Sequence, residues 1–157
     1  MLRGALFLVL AVLGAGCNEN LRTSYYPLYR DALGDGAKMR GWIPDIVPAS
    51  ATEIHEQHST QTNSVWIRFR IPETERTMLR EKLHKLTADE VRAADPVRPK
   101  DVDWWFSGIA EDAAGSSGLH ADVYCAGSQI PDARCSVFDG VIAFDRESQL
   151  VYYWKCE

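Results

Sequence analysis

A chain of 157 residues, 46% hydrophobic and 25% charged, holds one ordinary domain and excludes a large multidomain enzyme. Five Trp, six Tyr and five Phe supply apolar surface that offsets chain entropy on burial, which excludes a disordered chain. Seventeen Lys and Arg against twenty-two Asp and Glu give a net charge of −5, and no basic run exceeds two residues, so nucleic acid is not an expected partner.

The first seventeen residues read as an address. Arg3 precedes an apolar run from Ala5 to Leu13, followed by Gly14-Ala15-Gly16 and Cys17. The run is well short of the ~20 residues that cross a bilayer as a helix, and a charged start with a small-residue end is the layout of a cleaved secretory signal. Leu13-Gly14-Ala15-Gly16-Cys17 also resembles a bacterial lipobox, with Gly14 where Leu is commoner and Leu13 one place early. That resemblance implies cleavage before Cys17 and lipidation on it; an ordinary secretory signal and an uncleaved anchor are the alternatives. The expected division is therefore a signal over 1–16, a lipidated Cys17 with a tether over 17–24, and one globular domain over 25–157. Asn18 rather than Asp after the cysteine resembles the pattern that directs lipoproteins to the outer membrane, facing the periplasm.

Along the domain, Pro27 to Leu33 suits a short helix stopped at Gly34. Pro44 and Pro48 forbid a regular helix over 41–48, leaving an extended segment that Trp42, Ile43 and Val47 pin to the core. Ser50 and Glu53 have the spacing of a capping box, predicting a helix from Ala51 to about His58. In 63–71, Val65, Ile67, Phe69 and Ile71 alternate with Trp66, Arg68 and Arg70, which predicts a strand. Met78, Leu79, Leu83 and Leu86 then recur at helical spacing, predicting a helix over 73–86, with another turn over 88–94. Residues 102–109, with Trp104-Trp105-Phe106, read as a buried strand, and 111–118 as a Gly/Ser/Ala loop. Strands over 119–125, 137–144 and 150–155 follow, the last two as a hairpin. The expected architecture is α+β, an antiparallel sheet of four to five strands with two helices packed on one face.

No cluster in this sequence has the form of a catalytic centre. His55-Glu56-Gln57-His58 lacks the four-residue histidine spacing of zinc proteases, and no nucleophile elbow or phosphate loop is present, so no metal or cofactor is expected. Cys125, Cys135 and Cys156 remain after Cys17; one disulfide is expected, Cys125 to Cys135 across a loop or Cys125 to Cys156 between strand ends. Two surfaces are candidates for function. Trp66 with Arg68 and Arg70 has the composition of a protein interface, unless Trp66 is covered. Trp104 and Trp105 with Glu111 and Asp112 combine aromatics with acids, as glycan sites do, although adjacent aromatics are more often core.

Gly41-Trp42-Ile43-Pro44-Asp45, Pro48, Ser50-Ala51-Thr52-Glu53-Ile54 and Thr62-Asn63-Ser64-Val65-Trp66, with Tyr153-Trp154-Lys155-Cys156 at the end, resemble small bacterial envelope lipoproteins of the YbbD head-domain type. The resemblance implies an envelope location and carries no catalytic residue. The expected function is non-enzymatic: a lipid-anchored protein that binds or supports an envelope protein or the cell wall. A small peptidoglycan or glycan hydrolase and an immunity-type lipoprotein that neutralises a toxin are the alternatives.

Overall fold

A computed structural model describes residues 20–94, 98–109, 118–127 and 140–156. In chain order they form β1 (Leu21–Leu28), α1 (Tyr29–Gly34), β2 (Thr52–Ser59), β3 (Val65–Arg70), α2 (Glu73–Glu81), β4 (His84–Lys85), α3 (Ala88–Ala93), β5 (Ala121–Cys125), β6 (Val141–Asp145) and β7 (Leu150–Lys155). All seven strands join one antiparallel sheet in the order β1-β2-β3-β7-β6-β5-β4. The fold is α+β with an antiparallel sheet, as expected, but the described residues hold seven strands and three helices rather than four to five and two.

Covered faces explain the larger sheet. Val65, Ile67 and Phe69 of β3 join Ile142, Phe144, Val151 and Tyr153 in one core, which α1, α2 and the 35–51 segment cover through Ala32, Leu79, Ile43 and Val47. The alternate residues Trp66, Val141, Ala143, Tyr152 and Trp154 form a second core on the opposite face, closed by Leu86, Ala94, Trp104 and Phe106. With both faces buried, the helices divide between them instead of sharing one.

Four expectations change. Residues 21–24, read as tether, are the first half of β1 and pair with Ser59 through Glu56. The helix expected over 51–58 is β2. Glu53 has φ 50°, and a bulge sets two residues of β2 against one of β3 between Thr52 and His55. Ser50 bonds Glu75 instead of capping a helix, and Glu53 bonds Arg70 at 2.8 Å. α2 ends at Glu81 because His84 and Lys85 pair with Cys125 and Tyr124 at the sheet edge, carrying Leu86 to the opposite face from Leu79 and Leu83. Residues 102–109 form no strand beyond an isolated bridge from Ile109 to Leu119. Their peptides are held by side chains: Gln57 bonds both the carbonyl and the amide of Lys100 (2.8 and 2.9 Å), and Arg68 donates to the Trp104 carbonyl (3.1 Å). The loop expected over 111–118 lies outside the described residues except for Gly118.

Candidate functional site

β2 carries the polar residues that the core does not explain. Strand alternation turns Ile54, Glu56 and His58 toward the first core and His55 and Gln57 toward the second. His55 and His58 therefore project from opposite faces of the sheet and do not form a ligand pair. His55 packs beside Tyr25 and Trp104 (ring centroids 4.7 and 5.6 Å). Glu56 and His58 are 0% and 1% exposed, and His58 Nδ1 lies 2.6 Å from Glu56 Oε1.

The segment after α1 closes over this pair. Turn bonds from Gly36 to Trp42 fix its path, and Gly41, at φ 79°, makes the reversal that lets Arg40 fold back over its neighbour but one. Trp42 stacks on His58 with ring centroids 3.8 Å apart and planes 18° off parallel. Arg40 Cζ sits 3.9 Å from the Trp42 ring centre while its Nη2 bonds Asp35 at 2.9 Å, and the Tyr26 hydroxyl donates to the same Asp35 oxygen at 2.8 Å. The result is a layered stack of guanidinium, indole and imidazole ending on a buried carboxyl.

Burial pushes the Glu56 carboxyl up to about 8, against the Ser24 hydrogen bond and the Arg40 charge, which draw it down. Burial also lowers His58, helped by Arg40 and Arg22. Below about pH 8 the pair thus holds a proton in its short hydrogen bond. If that proton sits on Glu56, the imidazole is neutral with hydrogen on Nε2; if it crosses to Nδ1, Nε2 still carries hydrogen. His58 Nε2 is a donor either way, and it is buried without a hydrogen-bond partner among the described residues.

Beside the stack lies a cavity of about 480 Å³ whose wall includes Arg40, Trp42, His58, Ser59, Thr60, Asn63, Tyr153 and Lys155. Its lining includes Lys155 and Arg40, the latter ion-paired to Asp35. It opens at the end of the sheet where Leu21 meets Ser59 and Val65 meets Lys155.

The surfaces expected from sequence lie elsewhere. Trp66 is 6% exposed within the second core, so the exposed-tryptophan reading is corrected: Leu86, Trp104 and Trp154 belong to the cluster that covers it. Arg68 and Arg70 are engaged by the Trp104 carbonyl and by Glu53. Trp104 is core, and Trp105 meets Phe106, Tyr152 and Trp154. Glu111, Asp112, Cys17 and Cys135 lie outside the described residues. Cys125 is disulfide-bonded, whereas Cys156 is a thiol packed against the second core, so these two are not joined to each other. Among the described residues no group of three His, Cys, Asp or Glu is placed to hold a metal, and no helix is long and apolar enough to cross a membrane. Arg40 was not singled out from sequence, and Glu56 only within a histidine spacing that does not fit zinc proteases; no periodicity marks a carboxyl buried on the apolar face of a strand.

No curated protein and no solved structure matches the chain. Residues 21–70 match the YbbD head domain family. The matched segment runs from the first residue of β1 to the last of β3 and includes Arg40, Trp42, Glu56 and His58, while Tyr153 and Lys155 come from outside it. This part of the chain is accordingly similar to the YbbD head domain.

Proposed function

We propose that the protein is a non-catalytic component of the bacterial envelope, anchored by lipid on Cys17, that binds another envelope component in the cavity beside His58. The carrying observation is the cavity's position. Three residues separate Cys17 from Leu21, a reach of at most about 14 Å, and Leu21 pairs with Ser59 in the cavity wall. A lipid on Cys17 would hold the cavity end of the sheet at the membrane surface. The similarity of 21–70 to the YbbD head domain is consistent with this reading and adds no catalytic residue. The hydrolase alternative has less support, because Trp104 is buried in the second core and Trp105 packs against it among Phe106, Tyr152 and Trp154.

Cells fed a fatty-acid analogue test the anchor. The wild-type chain should be labelled and sediment with membranes, whereas Cys17→Ser should be unlabelled and released. Equal labelling of the two would overturn the proposal.

A further inference from the structure

We propose that Met39 is a membrane-contacting tip, an apolar side chain that enters the lipid surface at the end of the sheet to which Cys17 would tie the protein. The inference deepens the proposed function and rests on it for the anchor.

The segment between β1 and β2 is an excursion whose base lies at one end of the sheet and whose reversal lies at the other. It leaves after Leu28 and returns at Thr52, which pair with each other, and the Tyr29 amide closes the base on the Ala51 carbonyl at 3.0 Å. At the opposite end Trp42 stacks on His58, whose neighbour on β2 is Ser59, the partner of Leu21. The chain reverses over 36–41, where Gly36 and Gly41 have φ 76° and 79° and the Gly41 amide bonds the Lys38 carbonyl at 3.1 Å. Met39 sits inside that reversal, three residues before Trp42 and so at most about 11 Å from it between Cα atoms. The tip therefore belongs to the end of the sheet where β1 begins.

Two observations set Met39 apart from an ordinary surface residue. It is 91% exposed, whereas Tyr25, Leu33 and Met78, the other exposed large hydrophobics among the described residues, are 53%, 48% and 52% exposed. The charges beside it are already paired within the same segment, Lys38 with Asp45 and Arg40 with Asp35 at 2.9 Å. A tip built this way approaches a bilayer without stranding a lone charge, and a thioether has no strong hydrogen-bonding group to desolvate. Its turn is held by its own bonds, so contact orders little that was free.

The occupant follows from where the chain before β1 leads. Cys17 lies three residues before Leu21, so a lipid on it confines this end of the sheet to the membrane surface. A lipid surface accepts a single projecting apolar side chain, whereas a protein partner needs a contiguous apolar patch around it, and the residues flanking Met39 are Lys38 and Arg40.

The test uses the full chain with isotope-labelled methionine methyls, purified with its own lipid and placed in phosphatidylcholine nanodiscs with and without a lipid carrying a nitroxide high on its acyl chain. Met78 is the internal control, two residues from Arg76, which bonds the Asp145 and Ser148 carbonyls at the far end of the sheet. The nitroxide should broaden the Met39 methyl several-fold more than the Met78 methyl. In Met39→Glu, which should melt with the wild type because the site is exposed, broadening of the Gly41 amide should fall several-fold. Equal broadening of the two methyls, a Met39 methyl that stays sharp on the membrane and is thus free for a protein partner, or Gly41 broadening unchanged in Met39→Glu overturns the assignment. The same measurement on a Cys17→Ser chain, held by an N-terminal affinity tag on a chelating lipid, reads the tip without the natural anchor. Failed fatty-acid labelling of Cys17 rejects the anchor, and failed broadening in the tagged chain rejects the tip, so the two readings fail separately.

Discussion

At the scale of single residues, the largest energetic consequence of the two-core arrangement falls on Trp66. A tryptophan between two arginines has interface composition, but here alternation turns it into a second core as complete as the first. Trp66→Ala should cost about 3–5 kcal/mol in a denaturant titration, as for other large buried aromatics; an unchanged midpoint would return it to the surface. Glu56 makes the opposite kind of prediction. Its folded-state value of about 8 lies above the ordinary carboxylate value of 4.5, so the folded state keeps a proton that the unfolded chain has lost. The stability this confers is full at low pH and is lost as pH rises toward about 8. His58 acts oppositely and at lower pH, because its lowered value makes the folded state shed a proton early. The wild-type thermal midpoint should thus fall between about pH 6.5 and about pH 8, and Glu56→Gln should remove most of the fall. Parallel curves for the two proteins would show that the carboxyl is not held protonated.

At the scale of elements, β2 shows where sequence patterning stops informing. β3 was legible because both its faces are apolar or amphipathic in strict alternation. β2 places Glu56 and His58 where alternation calls for hydrocarbon, and its Glu and Gln residues favour helix, so local preference and tertiary pairing disagree. Strands on either side satisfy its backbone, and pairing prevails. The hairpin of β6 and β7 was legible from its turn residues, and the end of α1 from Gly34, although Pro27 and Leu28 belong to β1; the 98–109 segment was not, because its hydrogen bonds go to Gln57 and Arg68, far away in sequence. Gln57→Ala should therefore speed hydrogen exchange over 98–106 while leaving β3 and β7 protected. Uniform protection in the variant would mean that aromatic packing alone holds the segment. Gly140, at the start of β6, offers a sharper constraint: it has φ 86°, and an added Cβ would lie 2.6 Å from the Tyr153 hydroxyl. Gly140→Ala should destabilise by about 1–3 kcal/mol and displace Tyr153, which calorimetry would register; an unchanged midpoint would mean that the Tyr153 ring moves aside without cost.

At the scale of the whole molecule, the sheet has two distinct ends. Leu21, Ser59, Val65 and Lys155 gather at one, beside the cavity; Leu28, Thr52, Arg70 and Leu150 gather at the other. Arg76, 3% exposed, closes that far end by bonding the Asp145 and Ser148 carbonyls across the β6–β7 turn. Under the proposed function, an anchor close to Leu21 would hold the cavity end at the membrane with the clamped turn pointing away. The proposed anchor is an expectation from the lipobox-like segment, whereas the proposed orientation rests on the pairing of β1 with β2. A fluorophore placed at exposed Gln61 or at exposed Glu147, in membranes carrying a headgroup-level quencher, measures that orientation directly. Strong quenching at Gln61 and little at Glu147 is the predicted result; equal quenching at both, or the reverse order, would contradict the account.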